Sequence, residues 1–222
     1  WFAGSNLIPM KSGGVAHEGT SACSQGRDRL ALWCSCSQLW MVEAFLEGYS
    51  IGDMPEEWFL LPPKADLNNP LILGTAIQGA SRLLARGETE AADQTIRRLL
   101  TGGYDLLGLH RLELTGEAIY CALVLGRPQE ARRLYTPEVQ RYWRQTLRYS
   151  PSRVRQAYAW ALLMEGDLAQ AQTIRAEFDR VAARYPYPGE IPGERRLLSM
   201  ADQAFRSSAG LPPSSPAAGD SS

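Results

Sequence analysis

The sequence predicts an all-α fold of stacked antiparallel helix hairpins, three repeats of about 40 residues plus flanking helices. Two observations predict it. Three windows align without gaps, "ASRLLARGETEAADQTI" around Gly87, "IYCALVLGRPQEARRLY" around Gly126 and "AYAWALLMEGDLAQAQTIR" around Gly166, which sets the glycines 39 and 40 residues apart. The same kinds of residue also recur around each glycine. Ala80, Ile119 or Ala159 stands seven positions before it, Leu84, Leu123 or Leu163 three before it, and Ala92, Ala131 or Ala171 five after it. Glycine closes a helix because the closing residue needs a left-handed backbone, and the small residues let two helices approach while the leucines supply a buried stripe. A lone hairpin cannot cover that stripe, so hairpins stack.

Residues 1 to 28 stand apart from the repeat, and residues 29 to 69 read as a linking helix and loop. The helix, "RLALWCSCSQLWMVEAFLEGY" from Arg29 to Tyr49, contains Arg29, Gln38, Glu43 and Glu47. A membrane span needs about 20 mostly apolar residues, so an amphipathic helix is expected instead. The repeat domain covers 70 to 206. Asn69-Pro70 and Ser150-Pro151 each put a capping side chain before a proline at the first helical position, and Gly166-Asp167 offers a stop followed by a new cap. "TGGYDLLG", from Thr101 to Gly108, separates the first hairpin from the second. "YPYPGEIPG", from Tyr185 to Gly193, ends the third, because helix interiors tolerate proline and glycine poorly. A last short helix is expected from Glu194 to about Phe205. Residues 207 to 222, "SSAGLPPSSPAAGDSS", hold too little apolar surface to fold and are expected to be a disordered tail.

The alanine and glycine spacing resembles the tetratricopeptide repeat over roughly residues 70 to 184, which implies a tetratricopeptide-like α-solenoid. The period here is longer than the about 34 residues of that family, and its tryptophan-leucine-glycine-tyrosine cluster is missing.

Composition narrows the function. A chain of 222 residues with 45% apolar content buries a proper core, while a formal net charge of -1 gives nucleic acid no help from the whole-protein field, so nucleic acid is not expected as a partner. Cys23, Cys34, Cys36 and Cys121 lack zinc-ribbon spacing. On a helix Cys34 and Cys36 point roughly 200° apart, which reads as two reduced thiols of a cytoplasmic protein. The serines fall in no nucleophile elbow, and no glycine-rich loop fits a phosphate.

The front of the chain, "WFAGSNLIPMKSGGVAHEG", resembles a segment of the site-2-protease-like intramembrane zinc metallopeptidases. Their second metal-binding segment reads asparagine, two apolar residues, proline, a loop and an aspartate-glycine pair, matched here by Asn6, Pro9 and Gly19 with Glu18 at the acid position. Some bacterial members continue into a helical tail through a stretch like "FLEGYSIGDMPEEWF", so the resemblance spans about residues 1 to 205. It implies that Glu18 is a third zinc ligand, or Asp28 of "GRDRL" in a shifted register. The family's H-E-x-x-H is absent, since only His17 and His110 occur, and zinc is therefore expected only in a full-length parent. The start on Trp1-Phe2-Ala3-Gly4 suggests a fragment of something longer, with an upstream segment in the membrane and this chain on its cytoplasmic side.

"RYWRQTLRY", from Arg141 to Tyr149, interleaves arginines with aromatics, which suits stacking and carboxylate recognition. Arg141, Tyr142 and Arg148 are the candidate partner-binding residues, set against a plain repeat helix with a solvated basic edge. The leading expectation is a non-catalytic helical-repeat region mediating protein contact or self-association, the tail of a membrane metallopeptidase-like protein. The alternatives are a freestanding tetratricopeptide-like scaffold, or part of an active intramembrane protease whose H-E-x-x-H lies upstream.

Overall fold

The computed structural model describes residues 11–12, 15–16 and 28–210. Apart from a two-residue antiparallel ladder, Lys11–Ser12 with Val15–Ala16, regular structure there is helical. The helices are α1 (Arg29–Leu46), α2 (Pro70–Ala85), α3 (Thr89–Thr101), α4 (Gly108–Val124), α5 (Pro128–Leu134), α6 (Pro137–Thr146), α7 (Pro151–Ala159), α8 (Leu168–Ala182) and α9 (Ile191–Ser208).

Side chains start several of these helices. Asp28 Oδ1 accepts from the Leu30 and Ala31 amides at 2.9 and 3.2 Å, and Asn69 Oδ1 accepts from Leu71 at 3.0 Å with Pro70 next to it. Asp167 Oδ1 accepts from Gln170 at 2.9 Å. Each bond satisfies an amide that the helix leaves without a partner, which stabilises it by about 1 kcal/mol. Ser150 departs from expectation. Its hydroxyl pairs with that of Ser152 at 2.9 Å and caps no amide, so Pro151 alone shapes that start.

The helices before Gly87 and Gly126 end in one geometry. Gly87 and Gly126 have φ of 80° and 71°. In each turn the glycine amide bonds three residues back (Leu84, 2.8 Å; Leu123, 3.1 Å), and the following amide bonds five back (Leu83, 2.9 Å; Ala122, 2.7 Å). This double closure satisfies the last carbonyls and requires a left-handed residue. The helix before Gly166 (φ 68°) closes differently, because it widens into a π-helical turn over Trp160–Glu165 and the Asp167 amide reaches six residues back to Ala161 at 3.0 Å. That extra residue rotates the stripe. Leu163, expected to be buried like Leu84 and Leu123, is half-buried, and Ala161 and Leu162 go into the core.

The glycine spacing extends further back than the three windows. Gly48 lies 39 residues before Gly87, has φ of 92° and closes α1 with the same bonds, its amide to Phe45 at 3.2 Å and the Tyr49 amide to Ala44 at 2.9 Å. Met41 and Phe45 hold the buried positions that Ala80 and Leu84 hold in α2. No second helix follows Gly48. Single 3-10 turns, Ile51–Asp53 and Glu56–Trp58, occupy its place.

The described residues form two compact units, one reaching to Thr115 and including Pro186–Gly193, the other Gly116–Tyr185 together with the chain from Glu194. In the first unit α1 packs on α2 and α2 on α3. One core cluster is Met41, Phe45, Ile51 and Met54, and another is Ala31, Cys34 and Ile72. Gln38 ties α1 to α2, donating to the Leu71 carbonyl at 2.7 Å and to the Thr75 hydroxyl at 3.1 Å. Gly189 is buried so close to the Tyr49 carbonyl that any Cβ would overlap it. In the second unit α7 packs on α8. The last helix starts at Ile191, earlier than the expected Glu194, because Pro192 falls in its first turn, where a missing amide costs nothing.

Candidate functional site

Among the sequence-derived candidates, Asn6, Pro9, His17, Glu18 and Gly19 lie outside the described residues. Asp28 caps α1 through Oδ1. His110 is half-buried on α4. No group of three or more His, Cys, Asp or Glu side chains able to hold a metal occurs among the described residues. The described helices also include none long and apolar enough to cross a membrane. Cys34 is buried against Thr75, and burial raises its thiol above the ordinary value, which makes it a poor nucleophile.

On α6, Trp143 is buried and Arg141 exposed; Arg148, in the turn after the helix, is exposed as well. The Tyr142 ring faces the Arg153 guanidinium at 5.2 Å, and Arg148 stacks on its neighbour Tyr149 at 5.3 Å. Of the three candidate partner-binding residues, Tyr142 and Arg148 thus meet groups of this chain, and Arg141 is exposed.

A feature the sequence reading missed is the ionic cluster on α7. Arg155 is 1% exposed, yet it donates from Nη2 to Glu117 at 2.7 Å and from Nε to Glu194 at 2.7 Å. Its guanidinium lies over the Tyr120 ring. Gln156 donates to Glu117 at 2.9 Å and accepts from Arg153 at 2.5 Å. Burial alone would pull the Arg155 pKa down; the two carboxylates reverse this and hold it well above the usual value. Burial pushes the Glu194 carboxyl up, against the pull of Arg155. A second cluster joins Tyr158, Arg175 and Asp202, with Arg175 donating to Asp202 at 2.6 Å. Arg155 is closed to solvent, and the first cluster ties three helices together.

The open surface of the first unit is different. On α1, Leu32, Trp33, Leu39, Trp40, Val42 and Leu46 are 38 to 68% exposed, an unusual share of large apolar groups on one helix. Leu32, Leu39, Val42 and Leu46 repeat at helical spacing and share a face. Beside Trp40 opens a cleft of about 570 Å³. Trp40 packs edge-on to Trp33 at 5.5 Å and tilted against Trp58 at 5.7 Å.

Comparison with known proteins leaves the reading to this geometry: no protein family, curated protein or solved structure matches the chain.

Proposed function

We propose that this chain is a non-catalytic helical-repeat module that mediates protein–protein contact and forms the tail of a membrane-bound zinc metallopeptidase-like protein. One observation carries the contact role: the outward row of Leu32, Leu39, Val42 and Leu46 on α1, apolar side chains that a partner would remove from water. A tetratricopeptide-like reading of the hairpins is supported by the left-handed glycines at 48, 87, 126 and 166 and by the buried Ala80, Ile119 and Ala159 before them. The tail reading is supported by the resemblance around Asn6 and Pro9 and its continuation through "FLEGYSIGDMPEEWF".

Photo-crosslinking tests the contact role. A photoreactive residue at Leu39 or Leu46 is expected to capture a discrete protein in cells, one lost from the Leu32→Glu background and absent with the probe at Gln94, an exposed position of α3. Equal capture from both faces overturns the reading. The gene upstream tests the tail, because apolar helices carrying H-E-x-x-H are required there. Stoichiometric zinc binding by this chain alone would overturn its non-catalytic character.

A further inference from the structure

The cleft beside Trp40 has the chemistry of a receptor for a cation. Trp40 and Glu43 of α1 and its C-cap residue Glu47 fall at positions i, i+3 and i+7 and so share one stripe. Tyr49, Asp53 and Trp58 follow from the turn segment and line the same cleft. Its volume, about 570 Å³, suits a ligand or a partner's side chain, which ordinary binding pockets of about 300–1,000 Å³ accommodate.

Charge decides what fits. Three carboxylates line the cleft, no basic side chain does, and none of the three is ion-paired among the described residues. Glu43 and Glu47 stand one helical turn apart, an arrangement of like charges that destabilises a helix unless a cation joins them. The walls are indole and phenol faces, which attract cations through their quadrupoles. A planar guanidinium uses both features at once, stacking on an indole while its fork of donors meets carboxylates; a compact ammonium can do only part of this.

We infer that this cleft binds an arginine side chain presented by a partner protein. The inference rests on the contact role proposed above and names the residue type the partner must bring. Arginine would lie against the contacting Trp40–Trp58 pair with its donors toward Glu43, Glu47 and Asp53, and the apolar row of α1 would take up flanking residues.

The full chain can be titrated with the blocked peptide Gly-Gly-Arg-Gly-Gly while the Trp40 and Trp58 indole NH signals are followed by NMR, assigned with Trp40→Phe and Trp58→Phe. Saturable shifts of both signals are expected. Replacing arginine by citrulline, which keeps the shape and removes the charge, should weaken binding at least about tenfold, and so should Glu43→Gln/Glu47→Gln. Those two substitutions sit on an exposed face and remove a like-charge repulsion, so circular dichroism unchanged from the wild type with melting no lower shows that the fold is intact. Equal affinity for citrulline overturns the inference, as does binding unchanged by the double variant or no shift at millimolar arginine peptide. Tetramethylammonium binding as tightly as the arginine peptide would overturn it in favour of a small-cation site. Crosslinking through Leu39 that persists in the double variant would leave the contact role standing while the arginine assignment fails.

Discussion

The Arg155 guanidinium lies 4.3 Å from the centre of the Tyr120 ring, and the Tyr120 hydroxyl in turn donates to the Leu197 carbonyl at 2.8 Å. One buried cation thus links α4, α7 and α9 through an aromatic face, Glu117 and Glu194. Such a cluster is weak evidence for stability as a whole, since moving its charges out of water costs several kcal/mol per ion. Removing one member is another matter. Arg155→Ala leaves two carboxylates at 17% and 14% exposure without their cation, and it should cost about 3–5 kcal/mol in urea denaturation. Converting Arg155, Glu117 and Glu194 together to Met, Leu and Leu should recover most of the loss. If Arg155→Ala costs under about 1 kcal/mol, the cluster is a surface feature in solution.

Glu194 makes the same cluster sensitive to pH. Burial raises its carboxyl above the ordinary value of 4.5, so the folded chain holds this proton after the unfolded chain has released it. The stability it contributes is therefore fully present below 4.5 and is lost as pH rises through the folded value. Measured against Glu194→Gln, which cannot titrate, the wild type should lose stability as pH rises through that window. The opposite slope would show that the ion pair with Arg155 outweighs desolvation and holds the carboxyl below 4.5.

These residues show where sequence reading stops. The all-helical fold and the turns at Gly87, Gly126 and Gly166 were legible, because a left-handed closing residue is a local demand that glycine alone meets without strain. Gly48 meets it too and sits at the same spacing, but without a second helix after it the window showed no hairpin. Arg155 left a faint signal: Pro151, Arg155, Tyr158 and Leu162 form a buried stripe at helical spacing, so a charge stood in a core position. Its partners were invisible, since Glu117 and Glu194 are 38 and 39 residues away on other helices. Nor could periodicity show that the π turn at Trp160–Glu165 moves Leu163 off the stripe. The cleft beside Trp40 was hidden for a related reason. Trp40 and Trp58 meet only once the chain has turned at Gly48, and the spacing of their letters carries no such geometry.

Two glycines with equal free space should respond oppositely to alanine. Nothing lies within 4 Å of a Cβ built on Gly79 or on Gly166. Gly79 is inside α2, where alanine is the better helix former, so Gly79→Ala should stabilise the chain by about 0.5–1 kcal/mol. Gly166 has φ of 68°, and Gly166→Ala should cost about 1–2 kcal/mol from backbone strain alone. Thermal melts of both variants check this; equal shifts would mean that the turn at Gly166 relaxes out of the left-handed region.

Tyr158 offers a spectroscopic test of the second cluster. Burial raises its pKa to about 12, the hydrogen bond to Asp202 and that carboxylate's charge push it the same way, and Arg175 works against them. The unfolded tyrosine, at 10, loses its proton first as the solution turns alkaline, so the stability from the neutral phenol is present below 10 and is lost as pH rises through about 12. Subtracting the absorbance titration of Tyr158→Phe from that of the wild type isolates this phenol among the nine tyrosines. Asp202→Asn should move its midpoint down toward 10, because it removes a negative charge and leaves burial and Arg175 in place. Arg175→Met should move it up, because the only opposing charge disappears. A midpoint unmoved by either substitution would show that burial alone sets the shift and that Arg175 and Asp202 pair on the surface without engaging Tyr158.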